Sequence, residues 1–394
     1  MKRWWKQVLI VLASLLVALV LCEAGLRLLG IDYPDFFDYD PVVGSKLRPG
    51  IQGYWLKEGG GYVSINSDGL RDREHSLKPA PNTLRIAVLG DSFAEAMQVN
   101  REEAFWAVME RDLQECSRLR PRRVEVINFG QAGFGTAQEL LALRHRVWKY
   151  APEIVLLAFF TGNDVADNSP AFLQFDYNPY FSYQNGHLVL HNQRTREKWL
   201  EEQRKKSWGS EFARWRQDNF RVFQVLRQAQ QAARAWWSQR QHQGQAAAAP
   251  HGPEPGLLNA VFRQPTEAVW QEAWKVTETV LVMMRDEIAA HGVRFVVVVL
   301  TNGIQVHPDP EFRKKSAQQL GVHDLFYPDR RLAKFCRDKG IPILLLAPAF
   351  QEYATKHKVF FHGFGNNLGG GHWNQNGHRL AGKMLAEWLC GQLN

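Results

Sequence analysis

The sequence predicts a three-layer α/β/α fold of the flavodoxin-like kind, with a central parallel sheet of about five strands. Three observations predict it. Nearly continuous apolar runs recur at 84–89, 123–128, 153–160, Val293 to Leu300 and Ile341 to Leu346, the pattern of strands covered on both faces. Segments of helical character at 102–115, 137–149, 266–290, 328–338 and 375–390 alternate with them. The first three runs each end in glycine and small polar residues, where an open α/β sheet binds its ligands. An N-terminal membrane helix and an inserted hairpin and helical segment complete the predicted architecture.

The first segment, 1–30, reads as a membrane anchor or a signal segment. Lys2, Arg3 and Lys6 precede the uncharged run Gln7 to Cys22, with Trp4 and Trp5 at the boundary. Leu-Val-Leu-Cys is a poor lipidation site, and no Ala-x-Ala cleavage site follows. An uncleaved single-pass anchor is therefore expected, with the rest of the chain outside the cytoplasm; cleavage would instead give a secreted protein. Residues 31–82 are rich in Gly, Pro, Asp and aromatics and read as an extended neck with a small hairpin. The α/β alternation occupies 83–394.

An insertion spans 165–265. Tyr183-Gln184-Asn185-Gly186-His187 reads as a hairpin turn centred on Asn-Gly. Phe212, Trp215, Phe223, Leu226, Ala233 and Trp237 recur at near-helical spacing among arginines, a stripe that either covers its own domain or rests on an anionic membrane, the first being preferred. Residues 239–255 read as a Gln/Ala/Pro-rich disordered linker. Because the insertion begins just after Asn163, it is expected to overhang the pocket.

Four short segments carry the chemistry. The first strand ends in Gly90-Asp91-Ser92-Phe93, the second in Asn128-Phe129-Gly130-Gln131-Ala132-Gly133-Phe134-Gly135-Thr136, and the third in Thr161-Gly162-Asn163-Asp164. Gly371-His372-Trp373-Asn374 precedes the last helix, with Asn374 a candidate N-cap. Serine is a poor nucleophile until a base takes its proton, so Ser92 and His372 must meet if they act together. Glycine N–H groups and an asparagine amide are the parts of an oxyanion hole. Taken alone, Gly90-Asp91-Ser92 is also compatible with a mere strand-to-helix turn.

Together, in this order, the four segments resemble the SGNH/GDSL hydrolase family, over about Leu84 to Leu389. The resemblance implies Ser92 as nucleophile, His372 as base, and oxyanion donors in the N–H groups of Ser92 and Gly133 and the Asn163 side chain. Gly133 matches the family's usual spacing between Asn128 and Thr136; Gly130 and Gly135 read as turn formers. The family usually places an aspartate two or three residues before the histidine, but here stand Gly369-Gly370-Gly371. Three explanations compete: a backbone carbonyl of Gly369 or Gly370 orients His372, a distant acid such as Asp164 folds in, or the site is impaired. The carbonyl is preferred, which leaves a Ser–His dyad.

The composition, 45% hydrophobic and 22% charged with a net charge of +8, is that of a globular enzyme. No zinc-finger spacing, basic–aromatic RNA motif or dinucleotide fingerprint occurs, so no cofactor, metal or nucleic acid is expected. The four cysteines, Cys22, Cys116, Cys336 and Cys390, form no disulfide framework, and the last three fit apolar helix faces and read as buried structural residues. His307 and His378 read as a solvated loop residue and a structural one.

The function expected is a serine-dependent acyl-ester hydrolase or O-acyltransferase acting outside the cytoplasm, anchored in a bacterial inner membrane. Location and resemblance imply O-acetyl or similar esters of an envelope or secreted glycan as substrate, with a membrane-bound O-acyltransferase as a candidate partner. Two alternatives are a non-catalytic glycan-binding or scaffold protein that lost the acid, and an α/β-hydrolase with a modified nucleophile elbow. The latter fold needs several strands ahead of its serine, and there is no room for them.

Overall fold

The computed structural model describes residues 2–173, 175–242 and 259–392. Helix α1 (Lys2–Leu28) comes first, long and apolar enough to cross a membrane, with its apolar stretch unburied and its last turns touching α7. Two hairpins follow, β1 (Phe37–Asp40) with β2 (Gly44–Leu47) and β3 (Gln52–Tyr54) with β4 (Tyr62–Ser64). The residues expected to form an extended neck are thus folded, and they pack on the α/β body. Phe36, Leu47, Val63 and Ile65 share a small core with Met97. Buried Arg71 donates to the Val99 carbonyl at 2.5 Å, and Asp72 accepts from the Asn128 N–H at 3.0 Å.

The body begins with β5 (Thr83–Gly90), the short helix α2 (Ser92–Glu95) and α3 (Phe105–Leu113). Strand β6 (Arg123–Asn128) leads to α4 (Thr136–Ala142), and β7 (Ile154–Phe159) follows. The predicted helix 137–149 keeps regular α geometry only to Ala142 and continues in a wider turn and then a tighter one. The insertion holds the hairpin β8 (Tyr180–Gln184) and β9 (His187–His191), turning at Asn185-Gly186 as its sequence predicts. Helices α5 (Gln193–Arg204), α6 (Trp208–Asn219) and α7 (Arg221–His242) come next. Residues 239–242 of the expected linker belong to α7; 243–255 lie outside the described residues.

Helix α8 (Ala268–Ala290), β10 (Arg294–Val299), α9 (Gly303–Val306), α10 (Pro310–Gln319) and α11 (Tyr327–Asp338) lead to the last strand, β11 (Ile343–Leu345). Helices α12 (Ala347–His357) and α13 (Gln375–Gln392) close the described chain. The five-stranded sheet has the order β11-β10-β7-β5-β6, parallel throughout. Its interior strands are apolar on both faces because helices cover both; every residue of β7 is buried. The strand order reverses between β5 and β7, the topological switch point outside which such sheets bind ligands. The residues following those two strands include Ser92 and Asn163.

One cysteine expectation is corrected. Cys116 and Cys390 form a disulfide with their Cα atoms 5.9 Å apart. They lie 274 positions apart, and only the packing of α13 on α3 brings them together. Cys336 is buried and Cys22 exposed, both as free thiols.

Candidate active site

Ser92 stands at the first position of α2, directly beyond β5. The turn from strand to helix is tight: a side chain at Gly90 would put its Cβ 2.8 Å from Ala94 Cβ and 3.0 Å from the Ala158 carbonyl. Asp91 caps the turn, its carboxyl accepting the Phe93 N–H at 2.9 Å. The hydroxyl of half-buried Ser92 is thereby presented at the sheet edge, where its Oγ lies 2.8 Å from His372 Nε2. The two ends of the chain do converge. Phe93 packs beside the His372 ring, with centroids 5.0 Å apart, and limits its tilt.

The partner on the other side of the imidazole is Glu58, in the loop between β3 and β4. Its Oε2 is 2.5 Å from His372 Nδ1, and its Oε1 accepts the His372 backbone N–H at 3.0 Å. This corrects the expectation that a carbonyl of Gly369 or Gly370 orients the histidine. Gly369 instead donates its N–H to the His362 carbonyl, and the Gly371 carbonyl is bonded to the His362 ring. The glycines serve approach. Gly371 has φ +75°, and a Cβ there would sit 2.3 Å from Glu58 Oε1. On the facing loop, a Cβ at Gly59 would lie 2.2 Å from the Gln98 carbonyl, and one at Gly61 2.4 Å from the Val99 carbonyl. Gly371 thus lets the histidine loop close on the Glu58 carboxylate, while Gly59 and Gly61 let the Glu58 loop lie against the Gln98 and Val99 backbone.

Burial raises the Glu58 carboxyl, but hydrogen bonds from the His372 ring and its backbone N–H, with the charge of that ring, outweigh it and hold the group below its ordinary value. Glu58 is therefore a carboxylate at neutral pH, placed to accept Nδ1–H, an arrangement that leaves Nε2 without a proton toward Ser92. Asp164, the other acid considered, does not reach the histidine: it is buried, its Oδ2 accepts the Phe160 N–H at 2.7 Å, and burial beside Glu139 and Asp91 pushes it well above the usual carboxylate range.

A second histidine braces the first. His362 is fully buried, and burial pulls its pKa down to about 4, so the ring is neutral. Its Nδ1–H donates to the Gly371 carbonyl at 2.8 Å, which leaves Nε2 to accept the Thr301 hydroxyl at 2.8 Å. Thr301 in turn accepts the Trp373 indole N–H at 2.7 Å. The chain of bonds from Trp373 through Thr301 and His362 to Gly371 locks the backbone on both sides of His372. Gly363 N–H adds a bond to the His372 carbonyl at 2.9 Å.

The three oxyanion candidates line the same edge. Ser92 N–H lies in the first turn of α2, where helical N–H groups have no intrahelical partner. Gly133, at φ +77°, sits in the loop after β6, and its carbonyl accepts from Asn178 Nδ2 at 3.1 Å, so the insertion braces it. Asn163 Nδ2 lies 3.3 Å from Asp167 Oδ2 and 3.5 Å from the Phe134 carbonyl, and the Asn163 side chain also hydrogen-bonds the Asp91 carboxyl. Beneath this loop lies Glu95, raised to about 8 by burial and bonded to the Ala132 backbone. Gly130 is a packing position: a Cβ there would lie 2.5 Å from Ala94 Cβ. A Cβ at Gly135 would lie 2.8 Å from Asp167 Cβ. Asn163→Ala should lower turnover about 10²–10³-fold with little change in KM, if its amide meets the developing oxyanion. Steady-state kinetics on a soluble ester check this, and wild-type turnover would remove Asn163 from the site.

Of the other histidines, His378 is buried in α13, where its Nδ1 accepts the Phe105 N–H at 3.2 Å. His307, expected to be solvated, instead stacks on Phe312 with centroids 3.9 Å apart, close against Gly369. Among the described residues no group of His, Cys, Asp and Glu has metal-binding geometry.

No protein-family model matches the sequence, and no curated protein matches it either. Similar solved structures include the acetyl xylan esterase AlAXEase, 12% identical with a TM-score of 0.37 over 78% of this chain and 98% of that one. Another is a lipase/acylhydrolase from Enterococcus faecalis, 15% identical with a TM-score of 0.36 over 79% and 97%. A third is a catalytic mutant of Axe2, an acetylxylan esterase from Geobacillus stearothermophilus, 11% identical with a TM-score of 0.37 over 77% and 94%. Identities and scores this low assign no activity to this chain; the chemistry rests on the side chains.

Proposed function

We propose that this chain is a serine-dependent acyl-ester hydrolase or O-acyltransferase of the SGNH/GDSL type. The observation that carries the reading is the continuous line from Ser92 Oγ through both nitrogens of His372 to the Glu58 carboxylate. His372 Nε2 takes the Ser92 proton as Oγ attacks the ester carbonyl. The oxyanion is received by the N–H groups of Ser92 and Gly133 and the Asn163 amide. Imidazolium then protonates the leaving alkoxide, and an acyl-serine remains. Attack by water on that ester is hydrolysis; attack by a sugar hydroxyl is transfer. The non-catalytic reading drew its support from a missing acid, and Glu58 fills that place.

The finer parts of the proposal are the location and the substrate. A basic flank, α1 and the Cys116–Cys390 disulfide together support a single-pass protein of a bacterial inner membrane whose body lies in an oxidising compartment outside the cytoplasm. There, O-acetyl or similar esters of an envelope or secreted glycan are the proposed substrate. A membrane-bound O-acyltransferase is the proposed partner if the direction is transfer.

The test uses the full chain in detergent with a fluorophosphonate probe, a soluble acetyl ester and O-acetylated glycans. Labelling at Ser92 and acetate release are expected. A protein that neither labels nor releases acid from any ester would sink the reading. Location is tested separately by a reporter fused after Asn394, expected to be active outside the cytoplasm with the protein in the membrane fraction. Activity on the cytoplasmic side would overturn the topology.

A further inference from the structure

From the outer end of α1 and the helices that touch it, we infer that α6 and α7 form a second, peripheral membrane contact, an aromatic and basic hairpin that docks on acidic phospholipid. The inference rests on the proposed reading that α1 spans a membrane.

The depth of the hairpin follows from two contacts. The uncharged run Gln7 to Cys22 rises roughly 24 Å at 1.5 Å per residue, so with Trp4 and Trp5 at one interface Glu23 and Arg27 reach the headgroups at the other. Arg27 Nη2 donates to the Asn219 carbonyl at 2.5 Å, and Glu23 Oε2 accepts the Val222 N–H at 3.1 Å. The corner between α6 and α7 is therefore tied to the point where α1 leaves the bilayer.

What the hairpin presents there is aromatic. Trp208, Phe212 and Trp215 stand at i, i+4 and i+7 on one face of α6, stacked with centroids 5.7 and 5.6 Å apart. They are 84%, 48% and 50% exposed, and α6 has no buried residue. The preferred sequence reading, a stripe covering its own domain, is overturned for this face. An exposed row of this kind marks an interaction surface, and tryptophan is the residue that settles at lipid headgroups.

Charge selects the occupant. Arg214, Arg221 and Arg227 are committed, pairing with Asp38, Asp32 and Asp35 and strapping the hairpin to the folded neck. Exposed Arg204 and Lys206, just ahead of Trp208, have no ion pair among the described residues. The whole of α7 contains no Asp or Glu. Cations beside tryptophans at headgroup depth fit an acidic phospholipid surface. Two attachment points, α1 and the hairpin, would hold the body at a fixed tilt over the bilayer, where a single helix would let it swing.

The test reconstitutes the full chain in lipid nanodiscs with a photoreactive benzoylphenylalanine at Phe212 or, separately, at Leu15 within α1. Lipid adducts are expected at both positions in discs containing phosphatidylglycerol. In all-phosphatidylcholine discs the yield at position 212 should fall several-fold while that at position 15 holds. Arg204→Glu with Lys206→Glu should reproduce that fall in the acidic discs. Adducts at position 15 but none at 212, or adducts from 212 to a second copy of the chain, would overturn the hairpin and leave the membrane span standing. Absence of lipid adducts at both would overturn the span and the hairpin together. Equal yields at 212 in both lipids would overturn the acidic-lipid part.

Discussion

Ser92→Ala should eliminate ester turnover, by roughly 10⁶-fold if the site behaves as other serine–histidine pairs do. The side chain is half-buried at the sheet edge, with its Oγ on the imidazole, so the fold does not depend on it. Thermal unfolding of the variant should therefore match the wild type. His372→Ala should cost a similar factor, since without Nε2 no group accepts the serine proton. The double variant should be little worse than either single, because nucleophile and base act in one step and the second loss removes nothing that still functions. Losses that multiply would mean that the two residues act separately, and full turnover without Ser92 would end the assignment.

How much of this is legible in the sequence depends on how local each signal is. The strands of the sheet show as apolar runs, because burial on both faces demands a continuous run and leaves little room for other patterns. Ser92, Gly133 and Asn163 follow directly from such runs, so finding the strand ends finds them. The position of His372 is legible because it stands just ahead of the last helix. Glu58 is not: it lies 314 positions from His372, in a stretch with neither helical nor strand periodicity. One signal is present in hindsight. Glu58 heads Gly59-Gly60-Gly61, as His372 follows Gly369-Gly370-Gly371, and a carboxylate beside a glycine run can be reached closely by another backbone. The Cys116–Cys390 pair is hidden for a similar reason, since α3 and α13 meet only after the sheet has formed. For α6, periodicity identifies an apolar face but not what covers it, and there the preferred sequence reading fails.

The carboxylate's role predicts the second large effect. Glu58→Gln keeps the volume and removes the charge, and turnover should fall about 10⁴-fold with KM nearly unchanged, the loss seen where such an acid is replaced by its amide. The reason lies in the proton on Nδ1. The carboxylate accepts it and holds the ring with Nε2 bare toward Ser92, then stabilises the imidazolium that forms. An amide can turn its NH₂ to Nδ1, which drives the proton to Nε2 and leaves no base facing the serine. Glu58 acts through His372 as a positioning residue, so loss of kcat alone must be separated from a loosened loop. Glu58→Asp supplies that control: it keeps the charge, and turnover should recover part of the way if the loop carries the shorter side chain toward the ring. Gly371→Ala should reproduce much of the Glu58→Gln defect, since its Cβ would stand 2.3 Å from Oε1 at φ +75° and must displace the carboxylate. Combining Gly371→Ala with Glu58→Gln should add little, because the first change has already broken the contact that the second weakens. Near-normal turnover in Glu58→Gln would show that the 2.5 Å contact to Nδ1 plays no part in the chemistry, and the expected dyad would have to be reconsidered with some other group orienting the ring.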